Sequence, residues 1–366
     1  MMKVPLLDLK GQYDTIRDEI LPAIEELLET QSCCNGPVVR TLEKELADYS
    51  GCRRGIGVSS GTDALLASLM ALGIGAGDEV IIPTFTFFAT AGVVWRTGAT
   101  PVFADIEADT FNLDPRGIKR LITSKTKAIL PVHLYGQIAD MDPIREVAKA
   151  HGLSIIEDAA QSIGAEYKGL KCGAFGDSAC YSFYPTKNLG AMGDAGCIVT
   201  NSHVLAEKIE SFRNHGQGGT YMHHWVGGNF RMDSIQAVVL SIKLKKLDAW
   251  AETRRRYASI YEEVLSDVDG LTLPVVKDYS LPVWHQYVIR SHRRDDLKAF
   301  LQEKEIASGI YYPLCLHLQD CFSELGGSEG DHPVAEKASS EVLALPISSD
   351  LSEEQIRYVA ASIREF

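Results

Sequence analysis

The sequence predicts an α/β protein with a mostly parallel central sheet, followed by a smaller α+β part. Three observations predict it. From about residue 53 to 200, short β-rich runs alternate with helical stretches of about ten residues, the signature of βαβ units. The length, 366 residues, suggests two domains at ~150 residues each. After residue 230 the alternation gives way to a long run of helical periodicity, then to mixed short strands and helices.

Taken in order, strand-like runs fall at 55–58, 77–83, 99–104, 126–132, 153–156, 180–183 and 197–200, with helical segments at 63–72 and 142–151 between them. In such sheets ligands bind beyond the carboxyl ends of the strands. The run 235–264 carries apolar residues at Ile235, Val238, Val239, Ile242 and Leu247, which reads as a connecting helix broken near Asp248. A further strand-like run covers 284–290. The expected division is 1–250 for a large ligand-binding domain and 251–366 for a small C-terminal one. The Gly-, Glu- and Ser-rich loop 325–332 reads as a mobile surface segment.

Composition narrows the function. The chain is 45% hydrophobic and 23% charged, with a formal net charge of −13. An acidic balance argues against nucleic acid, which needs a basic face, but leaves a local phosphate pocket open. No apolar run reaches the ~18 residues of a membrane span. Asp8 and Lys10 interrupt any N-terminal signal region. None of the eight cysteines forms a Cys-x-x-Cys pair, so no zinc site is expected and the thiols read as reduced, in a cytoplasmic protein.

Four motifs carry chemistry. Ser59-Ser60-Gly61-Thr62-Asp63 follows the first strand and opens a helix; free amides and the macrodipole there favour an anion, although such turns are often plain helix caps. Ile155-Ile156-Glu157-Asp158-Ala159-Ala160-Gln161 ends a strand in an acid, which could serve as a cap, a metal ligand or a cofactor partner. Tyr181-Ser182-Phe183-Tyr184-Pro185-Thr186-Lys187-Asn188-Leu189-Gly190 sets a lysine in a tight turn after a strand. A lone lysine is usually surface charge; one 29 residues after Asp158 and five after Ser182 is a different proposition. Val226-Gly227-Gly228-Asn229-Phe230-Arg231 is a Gly-rich turn bearing an amide and a guanidinium suited to phosphate.

Together with Pro5-Leu6-Leu7-Asp8-Leu9, Asn35-Gly36-Pro37, Tyr311-Tyr312-Pro313 and Leu345-Pro346, these motifs resemble the DegT/DnrJ/StrS family of sugar aminotransferases over nearly the whole chain. The resemblance implies pyridoxal 5'-phosphate (PLP) as cofactor and PLP fold type I, the fold of aspartate aminotransferase. It implies that Lys187 holds PLP as a Schiff base and that Asp158 bonds the pyridine nitrogen. Gln161 would sit near the phenolic oxygen, and Gly61, Thr62 and Ser182 would hold the phosphate. Phe87 would stack on the ring, and Asn229 would reach the phosphate from the partner in a homodimer with shared active sites. Arg231 and Tyr312 would lie toward the nucleotide-sugar substrate. The implied amino donor is L-glutamate, and Gln161, where relatives acting on the fourth sugar carbon more often carry histidine, points to a UDP- or dTDP-linked 3-keto sugar.

Two alternatives remain at this point: a 4-keto sugar aminotransferase, and a non-enzymatic nucleotide-sugar-binding regulator. Dehydrating relatives replace the lysine by histidine, which Lys187 disfavours. The sequence departs from the family at Ala195, where a second glycine is common, and at Cys33-Cys34, where an aromatic or aliphatic residue is common. A methyl at 195 is tolerated unless that backbone needs φ > 0. His133, His215, His223 and His224 lack a third ligand at metal-like spacing, so no metal is expected. Arg254-Arg255-Arg256 reads as a solvated helix face.

Overall fold

A computed structural model describes residues 2–366. The central sheet is built from β1 (Arg54–Val58), β2 (Glu79–Pro83), β3 (Thr100–Ala104), β4 (Thr126–Ile129), β5 (Ser154–Asp158), β6 (Ser178–Ser182) and β7 (Gly196–Thr200). Their order across the sheet is β1-β7-β6-β5-β4-β2-β3. All neighbours are parallel except β7, which runs antiparallel to both β1 and β6. The expected α/β class with a mostly parallel sheet is therefore what forms.

Strand residues alternate between two apolar layers, as a period of two requires. Ile81 and Ile155 enter one core with Val39, Leu42 and Leu46 of α2 (Pro37–Ser50) and Ile144 of α6 (Met141–His151). Val80, Ile82 and Ile156 enter the opposite core with Leu65 and Leu69 of α3 (Gly61–Ala71) and Ile209 of α7 (His203–Arg213). The sheet is thus covered on both faces, the arrangement that hides a parallel sheet from water.

The differences from expectation have local causes. The strand expected at 126–132 stops at Ile129, just before Pro131, which has no N–H to give a ladder. The strand expected at 153–156 runs on to Asp158, whose N–H bonds Pro131 O at 2.9 Å and whose carbonyl accepts from His133 N at 3.0 Å. The long helix is two, α8 (Ser234–Leu244) and α9 (Leu247–Leu265), so the break falls at Lys245–Lys246 rather than at Asp248. Asp248 instead lies in the first turn of α9, where its charge suits the helix dipole.

Arg254 corrects the reading of the arginine run. It is buried at 4% exposure, and its Nη1 donates to Trp284 O (3.0 Å) and Ile347 O (2.6 Å). The helical period puts Arg254 on the face of α9 that also buries Ala251, Tyr257 and Ala258, while Arg256 stays exposed.

A second, three-stranded antiparallel sheet joins β8 (Leu271–Thr272), β9 (Tyr287–Ser291) and β10 (Val342–Leu345). Its core packs Tyr257 and Tyr261 of α9 against Tyr287 and Ile289 of β9 and Ile356 and Val359 of the C-terminal helix. Val4, near the start of the chain, joins this core. In the loop 325–332, Glu336 ties the backbone N–H groups of Gly330 and His332. No helix of the described residues is long and apolar enough to cross a membrane.

Candidate active site

Because β7 is antiparallel to both neighbours, β1 and β6 run the same way as β5, and all three carboxyl ends reach one edge of the sheet. A cavity of about 1010 Å³ opens there, and Asp158, Ser182, Lys187 and the start of α3 line it together with Phe87, Gln161 and Tyr312. Eight of the ten residues singled out in the sequence therefore share one pocket: Gly61, Thr62, Phe87, Asp158, Gln161, Ser182, Lys187 and Tyr312.

The α3 end is built for an anion. Ser60 is the N-cap, its hydroxyl taking the Asp63 N–H at 3.0 Å, and the helix's first amides, at Gly61 and Thr62, have no intrahelical partner. Gly61 is required by space: a Cβ there would sit 2.5 Å from Ser182 Cβ. The missing side chain lets α3 start against β6.

Asp158 is 4% exposed, and burial pushes its carboxyl up from the usual range. Two donors oppose that: the Thr90 hydroxyl at 2.8 Å from Oδ2 and the Ala160 N–H at 3.2 Å from Oδ1. Lys187 lies in the turn after β6, with its N–H bonded to Tyr184 O at 2.8 Å. Burial of its amine, opposed by the charge of Asp158, brings it down to about 8 from 10.5. At pH 8 about half of such amines are neutral, against well under about 1% of ordinary lysines.

Gln161 is fixed at both ends. Its Oε1 accepts the Tyr135 N–H at 2.7 Å, and its Nε2 donates to the Tyr312 hydroxyl at 3.3 Å. The Tyr312 ring stands 6.2 Å from that of Phe87, which is half exposed at the mouth. Asn229 and Arg231 do not line this cavity in their own chain. Asn229 is exposed and bridges Asn214 through the backbone, and Arg231 Nη1 donates to Asn214 Oδ1 at 2.7 Å. Cys33 and Cys34 also stand outside it, bonded through their backbones to Ser234 and Asp233. Ala195 lies on the wall without a positive φ, so its methyl is accommodated.

Three residues went unread in the sequence. Thr90 is reached only through the fold, because it is 68 positions from Asp158. Asn188 stood inside the lysine motif with no role, and His285 sits in a strand-like run that signalled only packing. His133 is spent structurally: with Nε2 as the donor, it bonds Glu157 Oε2 at 3.0 Å, and its Nδ1 accepts the Ala139 N–H at 3.2 Å. Glu157 and Cys172 complete a buried group with it, and Glu157 Oε1 already takes the N–H groups of Gly173, Phe175 and Gly176.

The residues present fit a phosphorylated pyridine aldehyde: an anion cradle, a buried carboxylate and a desolvated amine share one cavity. Solved structures give the class. The chain superposes on Streptomyces venezuelae DesV in complex with a ketimine intermediate, with a TM-score of 0.98, 43% identity, and coverage of 100% of this chain and 98% of that one. It superposes on NtdA from Bacillus subtilis with bound cofactor PMP at 0.93 and 34% identity, covering 99% and 85%. The molecule is a PLP-dependent aminotransferase.

More specifically, the DegT/DnrJ/EryC1/StrS aminotransferase family model matches residues 14–364, and the chain belongs to that family. It is 50% identical to a "pleiotropic regulatory protein" of Geobacillus stearothermophilus, covering 100% of this chain and 99% of the relative. It is 46% identical to a UDP-N-acetyl-3-dehydro-α-D-glucosamine 3-aminotransferase of Acidithiobacillus ferrooxidans (99% and 97%). It is 43% identical to a dTDP-3-amino-3,4,6-trideoxy-α-D-glucose transaminase of Streptomyces venezuelae (100% and 96%).

Proposed function

We propose that this enzyme moves an amino group from L-glutamate to the third carbon of a UDP- or dTDP-linked keto sugar, in the cytoplasm, as a homodimer with shared active sites. The observation that carries the reading is the pairing of a desolvated Lys187 amine with a buried Asp158 carboxylate in one cavity. Relatives named for both nucleotides, each acting at the third carbon, support the sugar position.

In this reading Lys187 would hold PLP, which when bound would supply an electron sink for the substrate's α-electrons. The residues do the rest. Asp158 holds the pyridine nitrogen protonated; a carboxylate ~4 Å from a cation at an effective dielectric of ~20 favours it by about 4 kcal/mol. Gly61, Thr62 and Ser182 take the phosphate, and Phe87 covers the ring. The Lys187 amine would take and return a proton at the substrate carbon; an arginine, always protonated, could not. Gln161 stays beside the phenolic oxygen, its amide braced by Tyr135 N–H and the Tyr312 hydroxyl. Arg231 and Tyr312 would lie toward the nucleotide-sugar, and Asn229 would reach the cofactor phosphate from the partner. Residues 1–250 form the cofactor-binding part and 251–366 the smaller part in this scheme.

The test is a pair of half-reactions. L-Glutamate alone should bleach the cofactor's visible band, and adding a UDP- or dTDP-3-keto sugar should restore it with a product one amino group richer by mass spectrometry. Restoration only by 4-keto sugars would overturn the third-carbon assignment. A relative carries a regulatory name; a purely binding role predicts no bleaching at all.

A further inference from the structure

Gln286 is part of the cavity wall. It also lines a small recess together with Phe111, Pro274 and Val275, so it stands where the two spaces meet. Its Oε1 is buried and, among the described residues, has no hydrogen-bond partner. Buried acceptors are nearly always matched, because leaving one unmatched is costly.

The other polar side chains around it are spent. Gln161 Oε1 accepts the Tyr135 N–H, and Gln161 Nε2 donates to the Tyr312 hydroxyl. The Tyr135 hydroxyl donates to Tyr311 O. The Asn188 amide nitrogen donates to Val283 O at 2.9 Å, so its Oδ1 accepts from His285 Nδ1 at 3.0 Å. Of the two glutamines that line the cavity, one is bonded at both ends and the other has an idle oxygen.

The idle amide does not sit on a loose segment. The Gln286 N–H bonds Tyr135 O at 3.3 Å, and the Val283 N–H bonds Gly136 O at 3.0 Å. A Cβ on Gly136 would stand 2.8 Å from His285 N, so the two stretches press together. Gln286 thus hangs from Tyr135, the residue that also fixes Gln161 and Tyr311. Tyr135 and Trp284 both hold left-handed backbone, at φ 58° and 46°, a strained state that lasts only where the surroundings over-determine it.

Oε1 only accepts, so the group it lacks is a donor. The recess, at about 20 Å³, has room for one water, and anything larger must come from the cavity. Phosphate, ketone and the carboxylates of an amino donor offer no hydrogen. A hydroxyl or an acylamino N–H does, and a hexose with a ketone at its third carbon carries such groups on the second and fourth. The terminal torsion of a glutamine has broad wells, so the amide can turn its oxygen to the cavity while the backbone stays in place.

We propose that Gln286 is a specificity-determining residue whose amide oxygen accepts a hydrogen bond from a hydroxyl or acylamino group on a carbon flanking the sugar ketone; this rests on the reading of the reaction given above.

The test uses the holoenzyme with saturating L-glutamate and three nucleotide-linked 3-keto hexoses. One carries hydroxyls on both flanking carbons, one lacks the hydroxyl on the second carbon, and one lacks that on the fourth. Wild type should favour the full sugar over at least one deoxy analogue by about tenfold in kcat/KM, as one lost hydrogen bond between neutral groups predicts. In Gln286→Met, which keeps the length and loses the amide, that ratio should fall to within about threefold of unity. Gln286→Leu repeats the loss with a different shape. Each ratio compares two substrates on one protein, so a general loss of packing or of amine delivery cancels from it. The analogue whose penalty disappears identifies the carbon. A wild type without preference overturns the proposal before any variant is made. Amination with ratios unchanged in the variants overturns this proposal alone. Amination of none of the sugars overturns the reading of the reaction, and this proposal with it.

Discussion

Replacing Thr90 by valine removes a single hydroxyl and leaves the shape of the side chain nearly intact. That hydroxyl donates at 2.8 Å to Asp158 Oδ2, and both groups are buried. A hydrogen bond to a charged acceptor is worth about 1.5–3 kcal/mol, or roughly 10- to 150-fold in the population of ionised Asp158. Burial already raises this carboxyl, and Thr90 is first among the groups that lower it. In the proposed role Asp158 acts only when ionised, so activity should be lost as pH falls through its pKa. Without the hydroxyl that pKa climbs further, and the acidic limb of kcat/KM moves up by about one to two pH units. The assay is kcat/KM against pH for wild type, Thr90→Val and Thr90→Ser, with a thermal melt to confirm folding. Serine keeps the donor and should restore the limb. An unmoved acidic limb in the valine variant, with activity within about twofold of wild type, refutes the claim that Thr90 holds the Asp158 charge.

Gly61→Ala forces a methyl to 2.5 Å from Ser182 Cβ; overpacking costs about 1–3 kcal/mol, so cofactor affinity by equilibrium dialysis should fall at least about fivefold. Arg254→Met strands the carbonyls of Trp284 and Ile347 and should lower unfolding stability in urea by about 1.5–3 kcal/mol, the worth of a hydrogen bond from a charged donor. The rate at which cofactor-free enzyme recaptures PLP should rise with pH to a midpoint near 8, the position of the Lys187 amine, because only the neutral amine attacks; a midpoint near 10 to 11 would contradict its desolvation. Lys187→Ala and Asn229→Ala chains, each inactive alone, should regain activity when mixed, since one site of the mixed dimer then has both residues intact; no recovery argues against a shared site.

Much of this was legible before any coordinates. The alternation of β-rich and helical runs gives the class of the sheet, because burial on both faces imposes that pattern locally. The lysine, the acid and the helix-opening turn are local motifs, and strand direction alone gathers them at one edge. What escaped reading depends on contacts across the chain. Thr90 to Asp158 spans 68 residues and His285 to Asn188 spans 97, and no periodicity marks either pair. Arg254 shows the limit of composition: three successive arginines look solvated, yet the turn of α9 sends one inward to two carbonyls. Asn229 and Arg231 were read from a motif, but one chain leaves both outside its own cavity.

The central claim is that Lys187 carries the cofactor, and reduction of the holoenzyme with borohydride followed by peptide mass spectrometry tests it most directly. The account predicts a pyridoxyl phosphate adduct on the peptide bearing Lys187. Lys243 is the control within the same molecule, because burial also lowers its amine to about 8 while its Nζ bonds Gly190 O at 2.7 Å, away from the cavity wall. An adduct on Lys243, or on any lysine other than Lys187, would contradict the account.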